Sequence, residues 1–188
     1  MSLRFPAMVL LLGLLASCAG QEVLVAKSAA VPAGVDLSGQ WQLRRESSDT
    51  LDKLALPRGG ERFELPPRKA NSKKRDKGSS LVRVFLETGA SLKVTQTDFA
   101  LFVSFDRSIV EEYRFGENRN VNVGPVVAQR VSGWDGTSYV VETLTDDGHK
   151  LIDRYLLESD STVLLRQVSL YEKGELTQSI VQKFDRAQ

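Results

Sequence analysis

An intramolecular disulfide is excluded from this chain, because Cys18 is its only cysteine. His149 is likewise the only histidine and cannot supply a His-based metal site alone. Charge of one sign is also missing: 25 Lys and Arg against 24 Asp and Glu leave a net +1, so no global field draws nucleic acid or an acidic substrate. There is no Gly-rich phosphate loop, since "RGGER" at 58–62 has no Lys-Ser after it and no strand before it. No segment of useful length keeps a helical period without also reading as a strand. These absences leave no metal and no cofactor to expect. What remains is an ordinary globular composition, 41% hydrophobic and 26% charged over 188 residues, which suits one domain.

Residues 1–17 read as a targeting segment: Arg4 near the start, the apolar run Phe5–Leu15, then Ala16-Ser17 before Cys18. The run has signal-peptide length and falls short of the roughly 20 residues that span a bilayer as a helix. Leu15-Ala16-Ser17-Cys18 resembles the lipobox of bacterial lipoproteins. The resemblance implies cleavage before Cys18, acyl chains on its sulfur and new amino end, and a membrane partner held through that anchor. Ala19-Gly20 in place of an Asp after the cysteine resembles the outer-membrane default, with the domain in the periplasm. Residues 18–35, small and carrying Pro32 and Gly34, are expected to be a flexible tether.

The remainder, 36–188, reads as a single all-β domain. A first strand is expected within Asp36–Glu46. Residues 47–80 hold three prolines, three glycines and the basic run Arg68–Lys77, and are expected to be a disordered insertion. Strands are then expected at Val82–Glu87, Ser91–Gln96, Phe99–Phe105, Ile109–Phe115, Val126–Ser132, Thr137–Thr145, Lys150–Leu157, Thr162–Glu172 and Glu175–Phe184. Turn residues between them, among them "DDG" at 146–148 and "KG" at 173–174, predict an antiparallel up-and-down meander. "SYVVETL" and "VLLRQVSLY" are apolar on both faces, which places them in the body of a barrel or sandwich. Closing the sheet is the economical way to remove its edges; an open antiparallel sheet or sandwich is the alternative.

Gly39-Gln40-Trp41 on the first strand resembles the Gly-x-Trp signature of the lipocalins. That resemblance implies an eight-stranded barrel, Trp41 plugging its closed end, and Arg186 packing over the ring by a cation–π contact. The insertion at 47–80 departs from the pattern, as does "TDF" at 97–99, which comes too early to be a family motif and is read as a turn.

Few residues point to chemistry. Asp146, Asp147 and His149 cluster in a hairpin tip with no serine tied to them, and Asp135 sits in a turn. Glu111 and Glu112 are adjacent on a strand, so they point to opposite faces and cannot form an acid/base pair. Arg130, Glu142, Arg154, Arg166 and Gln167 interrupt apolar strands; outward they form a solvent side, inward they must be paired and could orient a ligand's head. The basic run could contact lipid phosphates, whereas the absence of interleaved aromatics argues against nucleic acid. The expectation is a non-enzymatic envelope lipoprotein whose barrel-like domain serves binding or envelope maintenance, with an apolar small molecule as ligand. The alternative is an accessory subunit that docks on an envelope protein. Replacing Cys18 by Ala is expected to release the domain or leave an uncleaved precursor; a fully processed variant that still sediments with membranes overturns the anchor.

Overall fold

The computed structural model describes residues 22–50, 54 and 82–187. The signal segment, Cys18 and most of the insertion expected at 47–80, including Arg68–Lys77, lie outside the described residues. Ten strands follow in chain order: β1 Gly39–Leu43, β2 Ser91–Gln96, β3 Ala100–Phe105, β4 Ile109–Arg114, β5 Glu117–Val123, β6 Val126–Asp135, β7 Ser138–Thr145, β8 His149–Leu157, β9 Val163–Glu172 and β10 Glu175–Arg186. They form one antiparallel sheet in the order β4-β3-β2-β1-β10-β9-β8-β7-β6-β5. β1 pairs with both β2 and β10, Trp41 lying opposite Leu92 on one side and Arg186 on the other. Among the described residues the all-β meander thus has ten strands rather than the eight that the lipocalin resemblance implies.

The sheet is barrel-like without being closed by backbone pairing. Its edges, β4 and β5, are consecutive in the chain, yet the sheet curls until both halves share a core. Leu92 and Val94 of β2 and Leu101, Val103 and Phe105 of β3 cluster with Trp134, Tyr139 and Tyr155 from the opposite wall. Side chains bridge the seam: the Tyr139 hydroxyl donates to the Tyr113 carbonyl at 3.0 Å and Ser132 Oγ to the Arg114 carbonyl at 2.8 Å.

The two ends of the barrel differ. The Trp41 end is packed with aromatic residues, and Trp41 itself is 1% exposed. At the other end, where β3–β4, β7–β8 and β9–β10 turn, Leu54, Val82 and Phe85 pack against Leu151, Leu170 and Ile180. Arg83–Phe85 is a 3₁₀ turn, so the strand expected over Val82–Glu87 is instead part of a cap. A short apolar run fits either conformation, and here burial across the barrel's end decides. The reverse case is β5, "ENRNVNV", an edge strand with little apolar alternation that is not among the strands expected from the sequence.

The tether expected over 18–35 is, in its described part, a strap on the outer face of β6, β7 and β8. Ser28 exchanges two backbone hydrogen bonds with Trp134, at 2.9 and 3.1 Å. Lys27 pairs with Glu142 at 2.7 Å, and Glu22 pairs with Lys150. Leu24 closes a small outer core with Val131 and Leu144. Covering these side chains offsets the entropy of holding the segment still. The strap also explains why β7 is apolar on both faces.

Gly133 is what lets the strap lie so close. Its φ is 154°, and a Cβ there would sit 2.5 Å from the Ser28 carbonyl oxygen. Gly133→Val is expected to lose about 1–3 kcal/mol through the displaced bridge and the backbone strain. Urea unfolding measures this, and a variant as stable as the parent would show that the strap contributes nothing.

Candidate functional site

Alternation along β8, β9 and β10 turns Asp153, Tyr155, Arg166 and Gln182 into the barrel. Arg166 is fully buried. Its Nε donates to Asp153 Oδ1 at 2.9 Å and its Nη2 to Asp153 Oδ2 at 2.7 Å, a two-pronged pairing that suits a guanidinium and a carboxylate. Nη2 also donates to the Glu87 carbonyl at 2.8 Å, tying the segment after the cap to the interior. The Tyr155 hydroxyl donates to Asp153 Oδ2 at 2.8 Å. Phe105 and Tyr155 lie against the guanidinium, with ring centroids 4.9 and 5.5 Å away.

Burial works against the charge on Arg166, yet the Asp153 carboxylate outweighs it and pushes the guanidinium pKa further up. Burial, with Asp153 nearby, also pushes the Tyr113 and Tyr155 phenols far above their ordinary range. Glu87 is raised by burial and by repulsion from Glu111, with Arg166 and Arg130 opposing the shift.

A second cation lies across the interior. Arg130 is 6% exposed, with Nη1 3.5 Å from Glu111 Oε2 and its guanidinium over the rings of Phe85 and Tyr113 at 5.8 and 5.6 Å. Three buried polar atoms here have no hydrogen-bond partner among the described residues: Arg166 Nη1, Arg130 Nε and Gln182 Oε1. Gln182 lies directly opposite Arg166 in the β9–β10 register. It also lines a cleft of about 400 Å³ beside the cap, where β1 and β2 stop short, together with Leu43, Arg45, Asp49, Thr88 and Asp106. This cleft lies on the capped side of the polar layer; a second, of about 610 Å³, is lined by Trp41 with Gln40, Gln42, Lys93 and Ser104.

The five polar residues singled out on apolar strands divide by face. Arg130 and Arg166 point inward, whereas Glu142 binds the strap, Arg154 pairs with Asp135 at 3.0 Å and Gln167 is exposed. Glu111 faces Arg130, while Glu112 pairs with Arg114 at 2.9 Å. Asp153, Tyr155 and Gln182 went unnoticed in the sequence. The signal was there in "HKLIDRYLL", where Asp153 falls on the same face as Leu151.

The hairpin-tip cluster has a different setting. His149 Nδ1 lies 2.9 Å from Asp147 Oδ1, and its Nε2 lies 3.6 Å from Glu172. Asp147 is pushed up by burial, but hydrogen bonds from Thr145 and His149 bring it below its ordinary value. The arrangement clasps the β7–β8 hairpin to the end of β9. Among the described residues no group of three or more His, Cys, Asp or Glu side chains is placed to hold a metal. At the other end, the Arg186 guanidinium lies 4.2 Å from the Trp41 ring, and its Nη1 donates to the Ser38 carbonyl at 2.8 Å. Gly39, at φ 152°, leaves room for it; a Cβ there would sit 2.6 Å from Arg186 Nη1.

No protein-family model matches the chain, and no curated protein does. Solved structures do. Apo lipid binding protein 8 of Caenorhabditis elegans aligns at a TM-score of 0.51 and 11% identity, covering 82% of this chain and 100% of that one. The REP1-NXSQ fatty acid transporter aligns at 0.48 and 11% identity, over 81% of this chain and 97% of that one. A heat-soluble protein of Ramazzottius varieornatus gives 0.46 and 11%, over 82% and 97%. The first of these likenesses is one of fold, a barrel-like sheet of the kind found in a lipid-binding protein.

Arg166→Met or Asp153→Leu alone strands a buried charge and is expected to cost about 3–5 kcal/mol, whereas the double variant recovers most of that loss. Urea unfolding of the four proteins measures the coupling; additive losses would mean that the two side chains do not act as a pair.

Proposed function

We propose that the domain is a non-catalytic binding protein for an amphiphilic small molecule, its acidic head held by the interior cations and its apolar part lodged at the capped end. The observation that carries this reading is Arg166, fully buried with Nη1 unspent, its register partner Gln182 lining a cleft. A buried donor without a partner costs about 1–3 kcal/mol, and a ligand oxygen that accepts from it recovers that cost. Arg130 adds a second inward donor across the interior. The apolar walls beneath the cap, Leu151, Leu170 and Ile180, suit a hydrocarbon chain that displaces Phe85. The fold shared with a lipid-binding protein supports the same class of ligand. For the whole chain we propose an outer-membrane lipoprotein acylated on Cys18, with this domain in the periplasm; its support is the apolar run and Leu15-Ala16-Ser17-Cys18.

The probe is dansylaminoundecanoic acid beside its methyl ester, titrated by fluorescence against the purified domain. The acid is expected to bind and the ester to bind about 10- to 100-fold more weakly, as the loss of one or two hydrogen bonds to a charged group implies. Arg130→Met, which leaves the Arg166–Asp153 pair intact and removes the other unpartnered inward donor, is expected to weaken the acid alone. Absence of binding, or equal binding of acid and ester, overturns the reading.

A further inference from the structure

The strap fixes where the chain leaves the domain, and with it how the domain meets a membrane. Running back from Ser28, beside Trp134, the strap climbs the outer face of β7 past Glu142 and reaches Lys150, next to the β7–β8 turn. Glu22 therefore stands at the rim of the capped end, far from Trp41. Only residues 19–21 separate it from Cys18. Four steps of extended chain span at most about 14 Å, so an acylated Cys18 cannot lie far from that rim.

The same rim carries exposed apolar side chains on several strands. Ile109 follows the β3–β4 turn and Val123 and Val127 flank the β5–β6 turn, at 41%, 44% and 48% exposure; Leu176 follows the β9–β10 turn at 57%. Val23 and Val25, at the free end of the strap, are 71% and 75% exposed. Scattered single residues would call for no account, but these share one end, the end to which the chain is tied.

We propose that the strap and the apolar rim together hold the domain with its capped end down on the bilayer surface, so that the cleft beside Gln182 opens at the lipid interface. The tether then works as a short leash that sets orientation, and an amphiphile passes between bilayer and barrel without crossing water. This rests on the reading of Cys18 as the acylated residue.

The test uses the mature, acylated chain in vesicles of phosphatidylethanolamine and phosphatidylglycerol, with p-benzoylphenylalanine placed singly at Val127, Leu176 or Phe99. Phe99 is 60% exposed in the β2–β3 turn, at the opposite end, and serves as the control. Photolysis is expected to give several-fold more lipid adduct at Val127 and Leu176 than at Phe99, and a long Gly-Ser insertion between Gln21 and Glu22 is expected to bring that ratio down. Equal labelling at both ends, or labelling of Phe99 alone, overturns the orientation. Intact mass read on the same samples separates the two ideas: an unmodified Cys18 fails the lipoprotein reading, whereas an acylated Cys18 without rim labelling fails the orientation.

Discussion

A fully buried guanidinium must be matched by charge, and the pairing of Arg166 with Asp153 organises the interior around that requirement. Neither partner is solvated, so each depends on the other and on a few further contacts: the Tyr155 hydroxyl, the Glu87 carbonyl and the ring of Phe105. The pair joins neighbouring strands β8 and β9, and the Glu87 contact reaches across to the segment that follows the cap. It also divides the core. An aromatic-rich cluster fills the Trp41 end, a smaller aliphatic one lies beneath Leu54, Val82 and Phe85, and the polar layer sits between them.

The outer surface is organised by a second constraint, the open seam. With β4 and β5 unpaired to each other, the barrel holds its shape through the carbonyls of Tyr113 and Arg114, which accept from Tyr139 and Ser132. The strap binds the outside of β6, β7 and β8, the wall that the seam leaves attached on one flank only. Seam and strap meet at Trp134, whose backbone bridges Ser28 and whose ring packs edge-on against Phe115 and Tyr139. Strand curvature, seam closure and N-terminal docking are thus parts of one packing problem.

Much of the fold was legible because local signals sufficed for it. The hairpins at 146–148 and 173–174 carry Gly after polar residues, and alternation in "SLKVTQ" marks β2 to its ends, Ser91–Gln96. What depended on distant contacts was not legible. β5 is polar on both faces and becomes a strand because β6 offers it a ladder. Val82–Glu87 looks extended until a barrel end is there to cover. The two-sided apolarity of β7 signalled burial correctly, but the cover on its outer face is the strap, a segment whose own composition reads as linker. The inward turn of Arg130 and Arg166, against the outward turn of Glu142, Arg154 and Gln167, follows from register, which a strand sequence rich in apolar residues on both faces does not reveal.

Stability alone does not account for the polar layer. Buried ion pairs are commonly no better than apolar residues of the same volume, and replacing one outright can stabilise a protein by about 1–4 kcal/mol. A barrel with leucine or methionine in place of Arg166 and Asp153 would join its two apolar clusters into one continuous core. This chain instead keeps two inward arginines and leaves a donor on each without a partner among the described residues. A purely structural ion pair would spend its hydrogen-bonding capacity on the protein. Surplus donors in a buried layer are what a site for an oxygen-bearing ligand head requires, and the energetic disadvantage of the layer falls when that head is bound.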